Sequence, residues 1–113
     1  MSIAGRLNRQ IDIWGNVETG KTDELGSPAS EDRVLASGVW AEIVPQTGSL
    51  MTGRQADTVL SKTTHKIIIR YSAFPALSNA NWITHQGHRF DVDYVLNPYF
   101  KDEFLEVFCR EVV

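Results

Sequence analysis

An all-β domain, built as a small six-stranded barrel or a rolled antiparallel sheet with two long mobile loops, is the fold this sequence predicts. Three observations carry the expectation. Six short segments have the apolar patterning of strands, and only Ser2 to Arg9 and Tyr99 to Asp102 suit even a short helical turn. Two polar insertions, Gly15 to Asp32 and Gln46 to Lys62, interrupt the pattern. Strands this short must bury their apolar faces against one another, and closure into a barrel also hides their unpaired edges.

The first strand is Arg9 to Trp14, where Ile11 and Ile13 share one face. Gly15 to Asp32 then turns polar and rich in Gly, Thr, Ser, Asp and Glu, which reads as a mobile loop. Val34 to Pro45 is the second strand, with Val39, Ala41 and Ile43 opposite Trp40, Glu42 and Val44 until Pro45 removes a ladder donor. Gln46 to Lys62 is the second loop, and long loops of this kind are more often functional than idle.

Thr64 to Tyr71 holds three consecutive isoleucines and is the strongest strand signal, with Ile67 and Ile69 facing the core. Asn81 to His85 and His88 to Val95 flank Gln86-Gly87, where glycine can supply the positive φ of a tight hairpin. Asn97-Pro98 ends that strand, and Phe104 to Val112 alternates Leu105, Val107 and Cys109 against Glu106, Phe108 and Arg110. Trp40, Ile67, Ile69 and Phe90 are the expected core residues.

At 113 residues the chain is the size of one domain, residues 1–113, able to bury a continuous core. Its 42% apolar and 22% charged residues are those of an ordinary globular protein. A formal charge of -3 with no basic run removes the driving force for tight generic binding to nucleic acid. A single cysteine, Cys109, permits no intrachain disulfide and reads as a buried thiol. Met1 to Gln10 has no apolar h-region, and no apolar run approaches the roughly 20 residues of a membrane helix, so export and membrane insertion are not expected.

Chemistry is hard to find. His85 and His88 straddle the proposed turn, but with His65, Cys109, Asp91 and Asp93 they give no recognised zinc spacing. Asp91 and Asp93 share a strand face as any alternating polar pair does. No phosphate loop, nucleophile elbow or Cys-x-x-Cys is present, so neither an enzyme nor a cofactor is expected. The aromatic rings could be read as the stacking platform of a nucleic-acid-binding barrel, but that would require Lys66, Arg70 and Arg89 to share a face with them, and core packing is the simpler account.

Five stretches in order carry a resemblance: Gly5-Arg6-Leu7, Val39 to Pro45, Thr64 to Tyr71, Gly87 to Val92 with Asn97-Pro98 beyond it, and Leu105 to Glu111. On these residues the chain resembles the head-tail adaptor family of tailed bacteriophages, also called head-tail joining or head-closure (stopper) proteins. The resemblance implies a small β-barrel subunit that assembles in the neck of the virion as a ring, expected to be dodecameric. Because loops that order only at assembly have their entropy cost offset by interface contacts there, the free chain is expected to be a monomer. Its partners in the neck are a portal or adaptor ring protein on one side and a tail or tail-terminator protein on the other. DNA passes through without sequence-specific binding, and no membrane is involved. The resemblance also implies that Gln46 to Lys62 faces the channel or the next ring, and it makes Gly15 to Asp32 a candidate for contacts with neighbouring subunits. Within Gln46 to Lys62, Met51, Arg54, Gln55 and Asp57 are the residues expected to act at an interface. After Thr47-Gly48 the chain carries Ser49-Leu50 where the family's usual pattern has an Arg-Glu pair. A sibling role in tail completion or tail termination has the same physical character.

Overall fold

A computed structural model describes residues 3–46 and 63–112 of the chain. Six strands form one antiparallel sheet: β1 (Arg9–Thr22), β2 (Pro28–Pro45), β3 (His65–Arg70), β4 (Trp82–His85), β5 (His88–Leu96) and β6 (Phe104–Val112). The sheet closes on itself in the order β1-β2-β3-β6-β5-β4, so the fold is a barrel with no free strand edge in its wall. Two of the short 3-10 turns, Ile3–Arg6 and Pro98–Phe100, lie where the sequence allows helical turns.

Alternation decides what fills the barrel. Ile11 and Ile13 of β1, Ala41 of β2, Ile67 and Ile69 of β3, Ile83 of β4, Phe90 and Val92 of β5 and Leu105, Val107 and Cys109 of β6 all point inward and are buried, with Val39 at the margin. Ile67 and Ile69 are fully buried and Phe90 is 4% exposed, as the sequence predicts. Leu77, in the connection between β3 and β4, joins the same cluster.

Two irregularities re-aim side chains. Between Ile11 and Ile13 the β1/β2 register slips, and the Asp12 carboxylate accepts the Gly38 N–H at 3.0 Å to satisfy the bulged strand. Between Val92 and Tyr94 the β5/β6 register slips again, turning Tyr94 outward against Phe108 while Val95 returns to the core.

Two sequence expectations are corrected. Trp40 is not a core residue: it is 53% exposed, because Val39 and Ala41 take the inward positions on either side and a period of two leaves Trp40 outside. Gly15 to Asp32 is not a mobile loop but a two-stranded arm. β1 and β2 continue their pairing past the barrel wall through Gly15↔Arg33, Asn16↔Asp32, Val17↔Glu31 and Glu18↔Ser30 to Thr22↔Pro28. Pairing of β1 with β4 stops at Trp14↔Trp82, so beyond that point the arm stands clear of the sheet. A free hairpin of this composition would be marginal, but here the barrel has already set its register and each further ladder bond adds to it. The side chains contribute too: Asn16 Nδ2 donates to Asp32 Oδ1 at 3.0 Å and Thr19 Oγ1 donates to the Ala29 carbonyl at 3.3 Å.

The arm ends in a fixed turn. The Asp23 carboxylate accepts the backbone N–H groups of Leu25 and Ser27, both at 2.9 Å, and Gly26 takes φ 83°, a conformation that suits glycine. Leu25 stands at the tip, 91% exposed.

Candidate interaction surfaces

The outer wall of the barrel carries more aromatic and cationic character than a purely solvated surface needs, and it falls into separate patches. On one side Trp14 and Trp82 stack with centroids 6.4 Å apart, Trp14 Nε1 donates to Thr84 Oγ1 at 2.9 Å, and the guanidinium of Arg89 lies over Trp82. Further along β5, Tyr94 stacks on Phe108 of β6 at 4.7 Å. Phe108 is the register partner of Lys66.

A third patch surrounds Trp40. One shallow groove of about 330 Å³ is lined by Leu7, Asn8, Trp40 and Arg70, and an adjoining one of about 380 Å³ by Asn8, Arg9, Gln10, Trp40, His85 and Gln86. Trp40 is the wall between them. Neither Arg9 nor Arg70 makes an ion pair among the described residues, unlike Arg6, Arg33, Arg89 and Arg110. The patch therefore offers an apolar ring flanked by two uncompensated cations.

A fourth patch is the loop after β5. Tyr99 and Phe100 are 87% and 90% exposed, and Tyr99, Phe100 and Asp102 all adopt positive φ, at 58°, 53° and 57°. Residues other than glycine pay conformational energy there. Asn97 holds the loop in place: its carbonyl accepts the Phe100 N–H, its Oδ1 accepts the Asp102 N–H and its Nδ2 donates to Asp102 Oδ1 at 2.7 Å. Beneath this loop lies a groove of about 330 Å³ whose lining includes Ile68, Tyr99 and Phe104.

The arm supplies the complementary charge. Glu18, Asp23, Glu24, Glu31 and Asp32 stand against Lys21 and Arg33, an excess of three acids that equals the formal charge of the whole chain. The rest of the chain, residues 47–62 included, carries equal numbers of acids and cations. Glu31 and Arg33 pair at 2.8 Å, and this contact holds the Glu31 carboxyl below the usual carboxylate range. Glu18 and Glu24 have no ion pair among the described residues.

The residues weighed for chemistry are dispersed. His85 Nδ1 sits 2.8 Å from the Gln10 carbonyl and His88 Nδ1 sits 2.6 Å from Glu111 Oε2, so each ring faces its own neighbour. Asp91 and Asp93 accept from Arg89 and Arg110. No group of three or more His, Cys, Asp or Glu among the described residues is placed to hold a metal ion. Burial, reinforced by the charge of Asp93, pushes the Cys109 thiol up to about 12, which keeps it protonated and a poor nucleophile. Among the described residues no helix is long and apolar enough to cross a membrane. Arg70 of β3 pairs with Phe104 and Arg89 of β5 with Val112, eight residues further along β6, so these two cations stand at opposite ends of the wall and do not form one compact platform with Lys66.

Of the residues expected to act, Met51, Arg54, Gln55 and Asp57 lie outside the described residues. What is described is where their segment begins and ends. Gln46 N–H donates to the Thr64 carbonyl at 2.8 Å, so both ends leave from adjacent strands at one mouth of the barrel, beside Cys109 and Glu111 of β6.

Comparison with known proteins decides the assignment. The family model described as phage head completion protein matches residues 3–112. The chain belongs to that family. It is a structural component of the virion, and membership in a structural family speaks against an enzyme. Among solved structures, a chain of the virion of a native gene transfer agent particle aligns with TM-score 0.62 and 21% identity over 96% of this chain and 97% of that one, a likeness of fold. Among curated proteins no significant match is found. The head completion family was legible in the order of the strand motifs. The arm was missed, although Val17 and Thr19 alternate with polar neighbours and Asp23 to Ser27 carries turn chemistry.

Proposed function

We propose that this head completion protein forms a ring in the neck of the particle, where it retains the packaged DNA and docks the tail. The match of the head completion family to nearly the whole chain carries the reading. The fold is compatible with it: a closed barrel is a rigid block, and the exposed aromatics of the Trp40 and Tyr99-Phe100 patches are the kind of anchors that interfaces use. A portal or adaptor ring contacts one side and a tail or tail-terminator protein the other. The segment between β2 and β3, with Met51, Arg54, Gln55 and Asp57, faces the channel. A chain without net positive charge lets a polyanion slide past without trapping it.

The test is completion in vitro. DNA-filled heads made without this protein are mixed with free tails and the purified chain, and DNA retention and tailed particles are counted. Rescue by the intact chain, with leakage when residues 47–62 are replaced by a short linker, is the expected result. Heads that keep their DNA and join tails equally well without the protein contradict the reading.

A further inference from the structure

We propose that the tip of the β1/β2 arm of one subunit seats on the Trp40 groove of the next, Leu25 against the Trp40 ring and Glu24 against Arg9 or Arg70. The inference deepens the ring reading and rests on it.

Both halves of the contact are present on one chain, but they cannot meet within it. Gln10 pairs with Trp40 at the base of β1, and the arm runs from there to Thr22. Twelve residues of strand place the tip on the order of 40 Å away. The molecule is 50 Å in its longest dimension. A donor surface at one end and an acceptor surface at the other make a head-to-tail contact, and repetition of such a contact closes a ring when its rotation allows.

The chemistry matches. The tip is acidic and carries an exposed leucine in a turn already fixed by the Asp23 carboxylate, so little conformational entropy is lost on docking. The groove presents an exposed indole between Arg9 and Arg70, neither of which has an acidic partner among the described residues. Glu24 is likewise uncompensated there. Pairing the two satisfies both, and it favours this patch over the Tyr99 groove, where Glu103 and Glu106 line the wall beside Lys101 and would repel an acidic tip.

Cysteines placed at Leu25 and Asn8 in one full-length chain (Leu25→Cys with Asn8→Cys) test the contact in completed particles. Cys109 is buried and does not interfere. Mild oxidation is expected to give a ladder of disulfide-linked multimers, whereas each single variant gives none and a mixture of the two single variants gives dimers only. Independently, Glu24→Arg and Arg70→Glu are each expected to lower the yield of completed particles about tenfold, and their combination to restore most of it. Particles completed normally by the double-cysteine chain without any ladder, or a cross-link from Leu25→Cys to a different particle protein, overturn the proposal while leaving the ring reading intact. Failure of the unaltered chain to complete particles overturns both.

Discussion

The guanidinium carbon of Arg89 stands 4.6 Å from the ring centroid of Trp82, and Trp82 in turn stacks on Trp14 with the planes inclined by 13°. This stack runs across β5, β4 and β1 on the outer wall, at the place where the four-residue strand β4 must close the barrel. Arg89 also donates to Asp91 at 2.9 Å, which fixes the guanidinium over the ring. Removing the cation with Arg89→Ala is expected to lower stability by about 1 kcal/mol, and Trp82→Ala by more, in denaturant unfolding followed by tryptophan fluorescence.

Trp40 and Ile69 separate folding from assembly. Ile69→Ala leaves a cavity in a closed core and is expected to cost about 3 kcal/mol. Trp40→Ala is expected to change unfolding by under about 1 kcal/mol, because the ring is 53% exposed, yet to reduce particle completion. Equal loss of stability in both variants would return Trp40 to the core.

Cys109 is expected to resist thiol reagents at pH 8 in the folded protein and to react fully once the chain is unfolded. Its thiol is pushed up to about 12 by burial and by Asp93, and it lies on the inward face of β6. Reaction without unfolding would place β6 in the opposite register.

Glu42 gives a pH dependence with a definite sign. Hydrogen bonds from Arg6 at 2.8 to 3.2 Å hold its carboxyl below the usual range, helped by the charges of Arg6 and Lys66. A carboxyl depressed in the folded state stabilises the fold above its unfolded value and loses that contribution as pH falls through the folded value. The melting temperature of the unaltered chain is therefore expected to exceed that of Glu42→Gln near neutrality, with the gap closing below the ordinary carboxylate range of about pH 4.

Gly87, at φ 84°, follows Gln86 at φ 51° in the two-residue turn between β4 and β5. Gly87→Ala has open space around the new methyl group, so its expected cost of about 1 kcal/mol is conformational, readable as a shift in denaturation midpoint with an unchanged slope.

The barrel was legible because its signal is the period of two, which Ile11/Ile13, Ile67/Ile69 and Leu105/Val107/Cys109 repeat on strand after strand. The same alternation, followed strictly, places Trp40 outside, and at this position it outweighs the general preference of tryptophan for burial. The arm was illegible for a different reason: a ribbon that buries no core has no apolar stripe, and its order comes from a ladder begun elsewhere and a turn tied by Asp23. Tyr99 and Phe100 were hidden by the positive φ values that turn them outward, which no periodicity encodes.

Locating the protein in finished particles tests the central claim most directly. Purified particles carrying a labelled form of this chain are imaged, and the label is counted per particle. A fixed number of copies confined to the single vertex where head meets tail is the predicted result. A chain absent from purified particles, or spread over the whole shell, would contradict its assignment to the neck.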